Sequence, residues 1–207
     1  MPEPAATFDD VRAAASRISP YAHRTPVATS ATLGREVDAS VFFKCENLQK
    51  VGAFKARGAL NAVLSLDEEA ADRGVITHSS GNHGAALAYA ASIRGIPCTV
   101  VMPNHAPSVK VDAVRGYGAN IEMCEHADRE STTTRIIHQT GATLVHPYNN
   151  AAVIAGQGTA ALELIEDVGD LDFVITPIGG GGLMSGTSIT TRALLPDARI
   201  IGAEPYA

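Results

Sequence analysis

The chain has little cysteine and no arrangement of cysteines that would cross-link it. Its three cysteines, Cys45, Cys98 and Cys124, are scattered over 207 residues and form no CxxC pair. The odd number and the wide spacing argue against a disulfide framework and against a zinc ribbon. We therefore expect all three thiols to be reduced and mostly packed inside the fold.

Long apolar runs and blocks of like charge are also missing. No run approaches the ~18 apolar residues of a membrane span, and residues 1–4 lack the basic start and apolar core of a signal peptide. The net charge of −6 comes without an acidic or basic block, which argues against a nucleic-acid surface or a membrane-binding patch. The composition favours a cytoplasmic protein that acts on a small molecule and binds neither nucleic acid nor membrane.

What the chain does contain is a regular alternation of β-rich and helical patterns. Thr7 and Asp10 form a capping-box pattern at the start of the first helix, and Pro20 ends it. Strands alternating with helices predict an α/β fold with parallel sheets covered on both faces. The predicted strands are 41–45, 75–77, 98–102, 120–124, 143–145, 173–178 and 199–203; the later helices are 59–67, 85–94, 108–115, 130–139, 153–165 and 183–194.

Four consecutive glycines at 179–182 separate a predicted strand from a predicted helix. Such a loop exposes consecutive backbone N–H groups at the positive end of the helix, which suits a phosphate. No lysine follows Gly182, so the nucleotide-binding P-loop is excluded. A dinucleotide-binding fold remains open, because Glu204 stands near the distance at which such folds place an acidic residue. A flexible turn that only allows close packing is the third interpretation.

Lys55 is the lysine with the most apolar sequence surroundings. The chain has four lysines, and only Lys55 lies between Gly52, Ala53 and Phe54 on one side and Ala56 on the other. Desolvation penalises the ammonium form and lowers the pKa, and a neutral amine can attack a carbonyl. Lys55 is therefore the candidate for a Schiff base. The alternative is an exposed lysine in the first turn of a helix.

A second polar loop precedes the helix predicted at 85–94. Ser79, Ser80, Asn82 and His83 offer several hydrogen-bond donors within a few residues at a helix start. Such a site favours a carboxylate. A simple polar N-cap would explain one of these serines but not the cluster.

Together these segments resemble the pyridoxal-phosphate enzymes of the serine/threonine dehydratase and serine racemase family, which have fold type II and are tryptophan synthase beta-like. The resemblance runs nearly end to end, and several ordered motifs at family-like spacing are far more specific than one. The motifs are Ala53-Phe54-Lys55-Ala56-Arg57-Gly58-Ala59, Ser79-Ser80-Gly81-Asn82-His83-Gly84, Val153-Ile154-Ala155-Gly156-Gln157-Gly158-Thr159 and the glycines at 179–182.

The resemblance implies two three-layer domains with parallel sheets. Residues 1–67 and 148–207 would form the large cofactor-binding domain, and residues 68–147 the small substrate-loop domain. The family continues for roughly another domain's worth of sequence beyond residue 207. We therefore expect an incomplete large domain with an uncovered sheet edge and an incomplete core. The full-length protein would be a homodimer.

The resemblance also implies a chemistry, in which pyridoxal 5'-phosphate is the electron sink. Lys55 would form the Schiff base, Phe54 would lie against the cofactor ring and Asn82 would lie near its phenolic oxygen. Ser79, Ser80, Asn82 and His83 would bind the carboxylate of a small hydroxy-amino acid. The cofactor phosphate would be held by the N–H groups of Gly179, Gly180, Gly181, Gly182 and Leu183. In the implied reaction L-serine or L-threonine loses water to give an enamine, which hydrolyses to a 2-keto acid and ammonia.

Two residues, Ser80 and Tyr148, bear on the choice between dehydratase and racemase, and a third, Ala53, departs from the family pattern. Ser80 stands where serine racemases have serine, and its hydroxyl could return a proton on the face opposite Lys55. Tyr148, after His146 and Pro147, is more like the dehydratases. Ala53 stands where relatives usually have serine, which would loosen the hold on the cofactor phosphate. A serine racemase with side dehydratase activity therefore stays open, as does a truncated fragment that binds the cofactor without turnover.

The sequence around Glu204, Gly202-Ala203-Glu204-Pro205, resembles the segment that carries the family's metal-binding acid. A Mg²⁺ or Ca²⁺ ion is therefore implied, because such ions prefer oxygen ligands. A solvated carboxylate at the end of a strand is the alternative. The residues do not rank serine, threonine and 3-hydroxyaspartate as substrates.

Overall fold

A computed structural model describes residues 6–79 and 81–205. Within these residues the chain forms nine α-helices and eight strands. The helices are α1 (Phe8–Ile18), α2 (Ala31–Val37), α3 (Lys55–Leu64), α4 (Glu68–Arg73), α5 (Asn82–Arg94), α6 (Ser108–Gly116), α7 (Arg129–Thr140), α8 (Ala151–Val168) and α9 (Gly182–Leu194). The strands are β1 (Val27–Thr29), β2 (Phe42–Lys44), β3 (Val75–His78), β4 (Cys98–Pro103), β5 (Asn120–Cys124), β6 (Thr143–Leu144), β7 (Phe173–Pro177) and β8 (Arg199–Ala203).

The largest sheet is parallel and covered on both faces, as the alternating pattern predicts. Its strand order is β5-β4-β3-β6. Val75 and Val100 face one side, where they join the core formed with α5 and α6. Ile76 and Val101 face the other side, where Ile136 of α7 covers them. The three-layer arrangement therefore holds for this sheet.

Two smaller sheets complete the described fold. Strand β7 pairs with β8 in parallel, whereas β1 pairs with β2 in the antiparallel direction. The sequence pattern missed β1 and the helices α2 and α4. Strand β1 has only three residues, and α2 buries none of its side chains. Neither segment therefore has a periodic pattern of apolar residues from which it could be predicted. The expectation of parallel pairing is correct for every pair except β1 with β2.

Helix α8 lies at the centre of the fold and is crossed closely by two other helices. A Cβ on Gly156 would stand 2.6 Å from the carbonyl oxygen of Arg57 in α3. A Cβ on Gly186 of α9 would stand 2.5 Å from the backbone nitrogen of Gly158 in α8. Such approaches require glycine, since real Cβ atoms do not sit so close to backbone. Because α3 begins at Lys55 and α9 begins at Gly182, these crossings fix the lysine and the glycine loop relative to one helix.

A buried guanidinium also binds α3 to its neighbours. Arg57 is 0% exposed, and its guanidinium donates paired hydrogen bonds to the carboxylates of Glu46 and Glu163, each at 2.8 Å. Burial lowers the pKa of Arg57, but hydrogen bonds and charge attraction from the two carboxylates outweigh it and hold the pKa above the ordinary value. Lys44 adds a further ion pair to Glu163 at 2.8 Å.

The start of the chain and its thiols follow the sequence predictions. Thr7 caps α1 by accepting from the Asp10 N–H at 3.2 Å, and Asp10 in turn accepts from the Thr7 N–H at 2.8 Å. All three cysteines are free, and burial raises the pKa of Cys98 to about 12, which makes its thiol unreactive. None of the helices in the described ranges is long and apolar enough to cross a membrane.

One face of the β7–β8 sheet is open to solvent. Phe173 and Ile175 of β7 are 51% and 65% exposed, and Ile201 of β8 is 41% exposed. Alternate residues of a strand face the same side, so these side chains form one apolar surface. The expectation concerned an uncovered sheet edge, so this exposed face is an additional observation and the expectation of an incomplete large domain stays a prediction.

Candidate active site

Lys55 is the first residue of α3, and its amine lies in a partly buried position beside an aromatic ring. Nζ donates a hydrogen bond to the carbonyl oxygen of Pro147 at 2.7 Å and lies 5.2 Å from the centroid of the Phe54 ring. Burial lowers the pKa of Lys55. The sequence predicted this desolvation, and it favours the neutral amine that can act as a nucleophile or a base.

The turn that bonds Lys55 also contacts the glycine loop. His146 Nδ1 accepts hydrogen bonds from the N–H of Asn149 at 3.0 Å and of Tyr148 at 3.4 Å. The ring of Tyr148 lies directly against Gly180, where an added Cβ would overlap it. Through Pro147 and Tyr148, the 146–150 turn therefore brings the lysine and the glycine loop into one site.

The glycine loop connects β7 to the N-terminus of α9. Gly181 has φ +87°, a conformation that favours glycine. Within the part of the chain that the structure describes, no oxygen accepts a hydrogen bond from the N–H groups of 179–183. The first N–H groups of a helix lack intrahelical partners, and with the helix dipole they form an anion site. A Cβ on Gly179 would have no atom within 4 Å, so the loop has open space beside it.

The second polar loop runs from the end of β3 to the start of α5. Asn82 is the first residue of α5, and its Oδ1 accepts from Lys110 Nζ at 3.0 Å. Ser79 Oγ accepts from the N–H of Gly81 at 3.3 Å. Ser80, which the sequence nominates for substrate binding and catalysis, lies outside the described residues.

His83 occupies the interior behind this loop. Its side chain is 3% exposed, and Nε2 lies 2.9 Å from the carbonyl oxygen of Val145. Among the described residues Nδ1 has no hydrogen-bond partner. Burial lowers the pKa of His83 to about 4; the hydrogen bond with Val145 acts in the opposite direction, and the nearby charges of Lys55, His146 and His78 add smaller decreases. The ring is therefore neutral and keeps one nitrogen for a further partner.

Sequence reasoning missed the contribution of two histidines to the site. His78 ends β3 and His146 follows β6, and their rings meet edge to face with centroids 5.8 Å apart. The His146 ring in turn meets the Tyr148 ring at 4.5 Å. Strands β3 and β6 are neighbours in the sheet, so the signal was their shared carboxyl edge, which becomes visible only once the strand order is known.

Glu204 lies one residue beyond β8 and is exposed. Across residues 6–79 and 81–205, no three His, Cys, Asp or Glu side chains lie close enough to bind a metal ion together. The metal ion at Glu204 stays a prediction.

The two halves of the site suit a molecule that carries both a carbonyl and a phosphate. The partly desolvated Lys55 amine matches the carbonyl, and the N–H groups of the glycine loop, which have no acceptor among the residues that the structure describes, match the phosphate. Phe54 adds an apolar ring beside the amine. The residues present therefore fit pyridoxal phosphate.

Known proteins share this sequence and this fold. The chain is 53% identical over 201 residues to the serine racemase of Dictyostelium discoideum, covering 96% of this chain and 62% of that protein. It is 54% identical over 201 residues to the beta-hydroxyaspartate dehydratase of Paracoccus denitrificans, covering 96% of this chain and 64% of that protein. It is 47% identical over 203 residues to the L-threo-3-hydroxyaspartate ammonia-lyase of Saccharomyces cerevisiae, with coverage of 97% and 62%. The chain thus spans less than two thirds of the length of these relatives.

The fold of this chain also matches the crystal structure of a relative. The crystal structure of the Dictyostelium discoideum serine racemase superposes with a TM-score of 0.95, covering 97% of this chain and 66% of that one. The sequence profile of the family described as "Pyridoxal-phosphate dependent enzyme" matches residues 18–207, which include Lys55, the polar loop and the glycine loop. The chain therefore belongs to the family of pyridoxal-phosphate dependent enzymes.

Proposed function

We propose that this chain carries the catalytic lysine and the phosphate loop of an enzyme that eliminates water from L-serine or L-threonine, after which hydrolysis of the enamine releases ammonia and a 2-keto acid. The observation that carries the proposal is the Lys55 amine, which is desolvated, hydrogen-bonded to Pro147 and joined to the glycine loop by the 146–150 turn. Relatives named as a hydroxyaspartate dehydratase and a hydroxyaspartate ammonia-lyase support the reaction class.

Each residue has a distinct role in this proposal. Pyridoxal phosphate, when bound, withdraws electrons from the substrate's α-carbon. Lys55 Nζ takes the α-proton, because an amine of lowered pKa is an effective base near neutral pH. The N–H groups of Gly179, Gly180, Gly181, Gly182 and Leu183 would hold the cofactor phosphate, and Phe54 would contact its ring.

The substrate is held from the opposite loop. Ser79, Ser80, Asn82 and His83 bind its carboxylate at the N-terminus of α5, where the helix dipole favours negative charge. Asn82 would also contact the phenolic oxygen of the cofactor. Nδ1 of His83, which has no hydrogen-bond partner among residues 6–79 and 81–205, supports a polar partner on this side, since a buried nitrogen without one is costly.

A serine racemase with side dehydratase activity is the second candidate. The 53% identity to the Dictyostelium discoideum serine racemase favours it. In that reading the Ser80 hydroxyl returns a proton to the face opposite Lys55. A fragment that binds the cofactor without turnover is a third candidate, from a different functional class.

The remaining expectations form part of the same proposal. The residues 1–67 and 148–207 make the large domain and 68–147 the small one, and the full-length enzyme is a homodimer. Glu204 binds Mg²⁺ or Ca²⁺ near the cofactor. The enzyme works in the cytoplasm on a small hydroxy-amino acid.

One set of assays separates these candidates. The full chain is supplied with pyridoxal phosphate and given L-serine, L-threonine or 3-hydroxyaspartate, and 2-keto acid and D-serine are measured. Keto acid without D-serine supports the dehydratase, and D-serine in excess of keto acid supports the racemase. Bound cofactor with neither product supports the non-catalytic fragment. Lys55→Ala should abolish turnover, whereas Lys50→Ala in the same loop should retain it; equal activity in both variants would refute the role of Lys55.

A further inference from the structure

The short turn after β6 makes two contacts with the proposed site, and one histidine nitrogen accepts two hydrogen bonds from the backbone of this turn. His146 Nδ1 accepts from the N–H of Asn149 at 3.0 Å and of Tyr148 at 3.4 Å. Within that turn the Pro147 carbonyl accepts from Lys55 Nζ at 2.7 Å. The Tyr148 ring lies against Gly180. The conformation of three consecutive residues therefore sets both the lysine contact and the phosphate-loop contact.

We infer that His146 is a positioning residue, which through its unprotonated Nδ1 holds Pro147 against the Lys55 amine and Tyr148 against the glycine loop. This inference rests on the proposed function of Lys55 and of the loop. It assigns His146 to the neutral form with the proton on Nε2, because Nδ1 can accept only when it carries no proton.

The surroundings of His146 support the neutral form. Burial lowers its pKa first, and the charges of His78 and Lys55 lower it further, while Glu130 of α7 acts in the opposite direction. Two further titratable side chains lie beside the ring: His83 of α5, whose own ring is neutral, and Tyr148, whose ring centroid is 4.5 Å away. The groups that face His146 thus discourage protonation of the nitrogen that accepts both hydrogen bonds.

A pair of substitutions separates the hydrogen-bond acceptor from the ring. Asparagine places an oxygen where it can accept from backbone N–H groups two residues further on, as in an Asx-turn. His146→Asn should therefore keep the turn, although it removes the ring contacts with His78 and Tyr148. His146→Leu should lose the turn. His138→Leu, at an exposed position of α7, is the matched control.

The first measurement is amide hydrogen exchange of Tyr148 and Asn149 in the full chain without added cofactor. His146→Leu should reduce their protection about tenfold, as expected for the loss of one net hydrogen bond, and His146→Asn should restore it. The Kd for pyridoxal phosphate should likewise rise in His146→Leu and return towards the wild-type value in His146→Asn. The exchange result tests the turn even if the protein proves not to bind the cofactor, so the two proposals fail separately.

Two outcomes would overturn the inference. One is equal loss of amide protection and cofactor binding in the asparagine and leucine variants, which would assign the role to the ring. The other needs no variant, so it applies even if His146→Leu does not fold: ¹⁵N NMR of the wild-type chain should show His146 protonated on Nε2 only, and a proton on Nδ1 at neutral pH would contradict the assignment.

Discussion

At the scale of single residues, His83 shows how burial couples folding to pH. Its ring is almost fully buried, and its pKa falls to about 4 in the folded chain, against about 6.5 in an unfolded one. Between these values the unfolded state binds more protons than the folded state. The stability that depends on neutral His83 is therefore complete above pH 6.5 and is lost as the pH falls towards 4.

We predict that His83 accounts for about 2 kcal/mol of the stability lost between pH 7 and pH 5. Urea denaturation at the two pH values should show a smaller loss for His83→Gln than for the wild type. His138→Gln, at an exposed site, should lose as much as the wild type. A His83→Gln variant with unchanged pH dependence would contradict the assignment of a buried, neutral ring.

Two adjacent glycines provide a second test at this scale. A Cβ on Gly180 would overlap the Tyr148 ring, whereas a Cβ on Gly179 would meet nothing within 4 Å. Gly180→Ala should lower the free energy of unfolding by about 1–3 kcal/mol, and Gly179→Ala should leave it nearly unchanged. Urea denaturation without cofactor measures both values.

The Gly180→Ala effect should also depend on its neighbour. In a background of Tyr148→Ala the added methyl group has room, so the cost of Gly180→Ala should shrink. The two residues are in contact, and a double-mutant cycle should reveal a coupling energy. Simple additivity would show that Tyr148 does not rest on the loop.

At the scale of secondary-structure elements, the position of α3 depends on the charges buried beneath it. Arg57 holds Glu46 of the loop after β2 and Glu163 of α8, and all three side chains lie largely out of solvent. Arg57→Met should lower the free energy of unfolding by about 3–5 kcal/mol, because it leaves Glu46 without its charged partner and Glu163 with Lys44 alone. Arg24→Met removes only surface ion pairs with Glu166 and Asp167 and should cost less than about 1 kcal/mol. Equal costs in urea denaturation would contradict the account of Arg57.

Helices and strands with a periodic pattern of apolar residues could be predicted from the sequence. Strands β5 and β8 begin and end where they were predicted, and α9 differs by one residue. Helix α3 begins at Lys55, four residues before the predicted start at Ala59, because its first turn has no apolar spacing. Strand β1 exists through its pairing with β2, which is a tertiary contact that no local pattern encodes.

Some residues of the candidate site could likewise be predicted from the sequence, and others could not. Lys55 and the glycine loop could be predicted because a lysine among apolar residues and a run of glycines are local sequence patterns. The Pro147 carbonyl could not, because every residue has one and only the fold places this one 2.7 Å from the amine. His146 was missed for a related reason, since its partners are backbone N–H groups of its own turn.

At the scale of the whole molecule, the site is assembled from the carboxyl ends of two separate sheets. Strand β7 leads into the glycine loop, while β3 and β6 lead into the polar loop and the 146–150 turn. Helix α8 joins the two parts, since α3 and α9 both cross it through glycines. The lysine that opens α3 is thereby set between them.

The central claim is that Lys55 is the residue that binds the carbonyl of pyridoxal phosphate. The most direct test is to mix the full chain with the cofactor, reduce with borohydride and locate the attached pyridoxyl group by peptide mass spectrometry. The account predicts one pyridoxyl group, on Lys55, and its loss when excess inorganic phosphate competes for the glycine loop. Attachment to Lys44, Lys50 or Lys110 in place of Lys55, or no attachment at all, would contradict it.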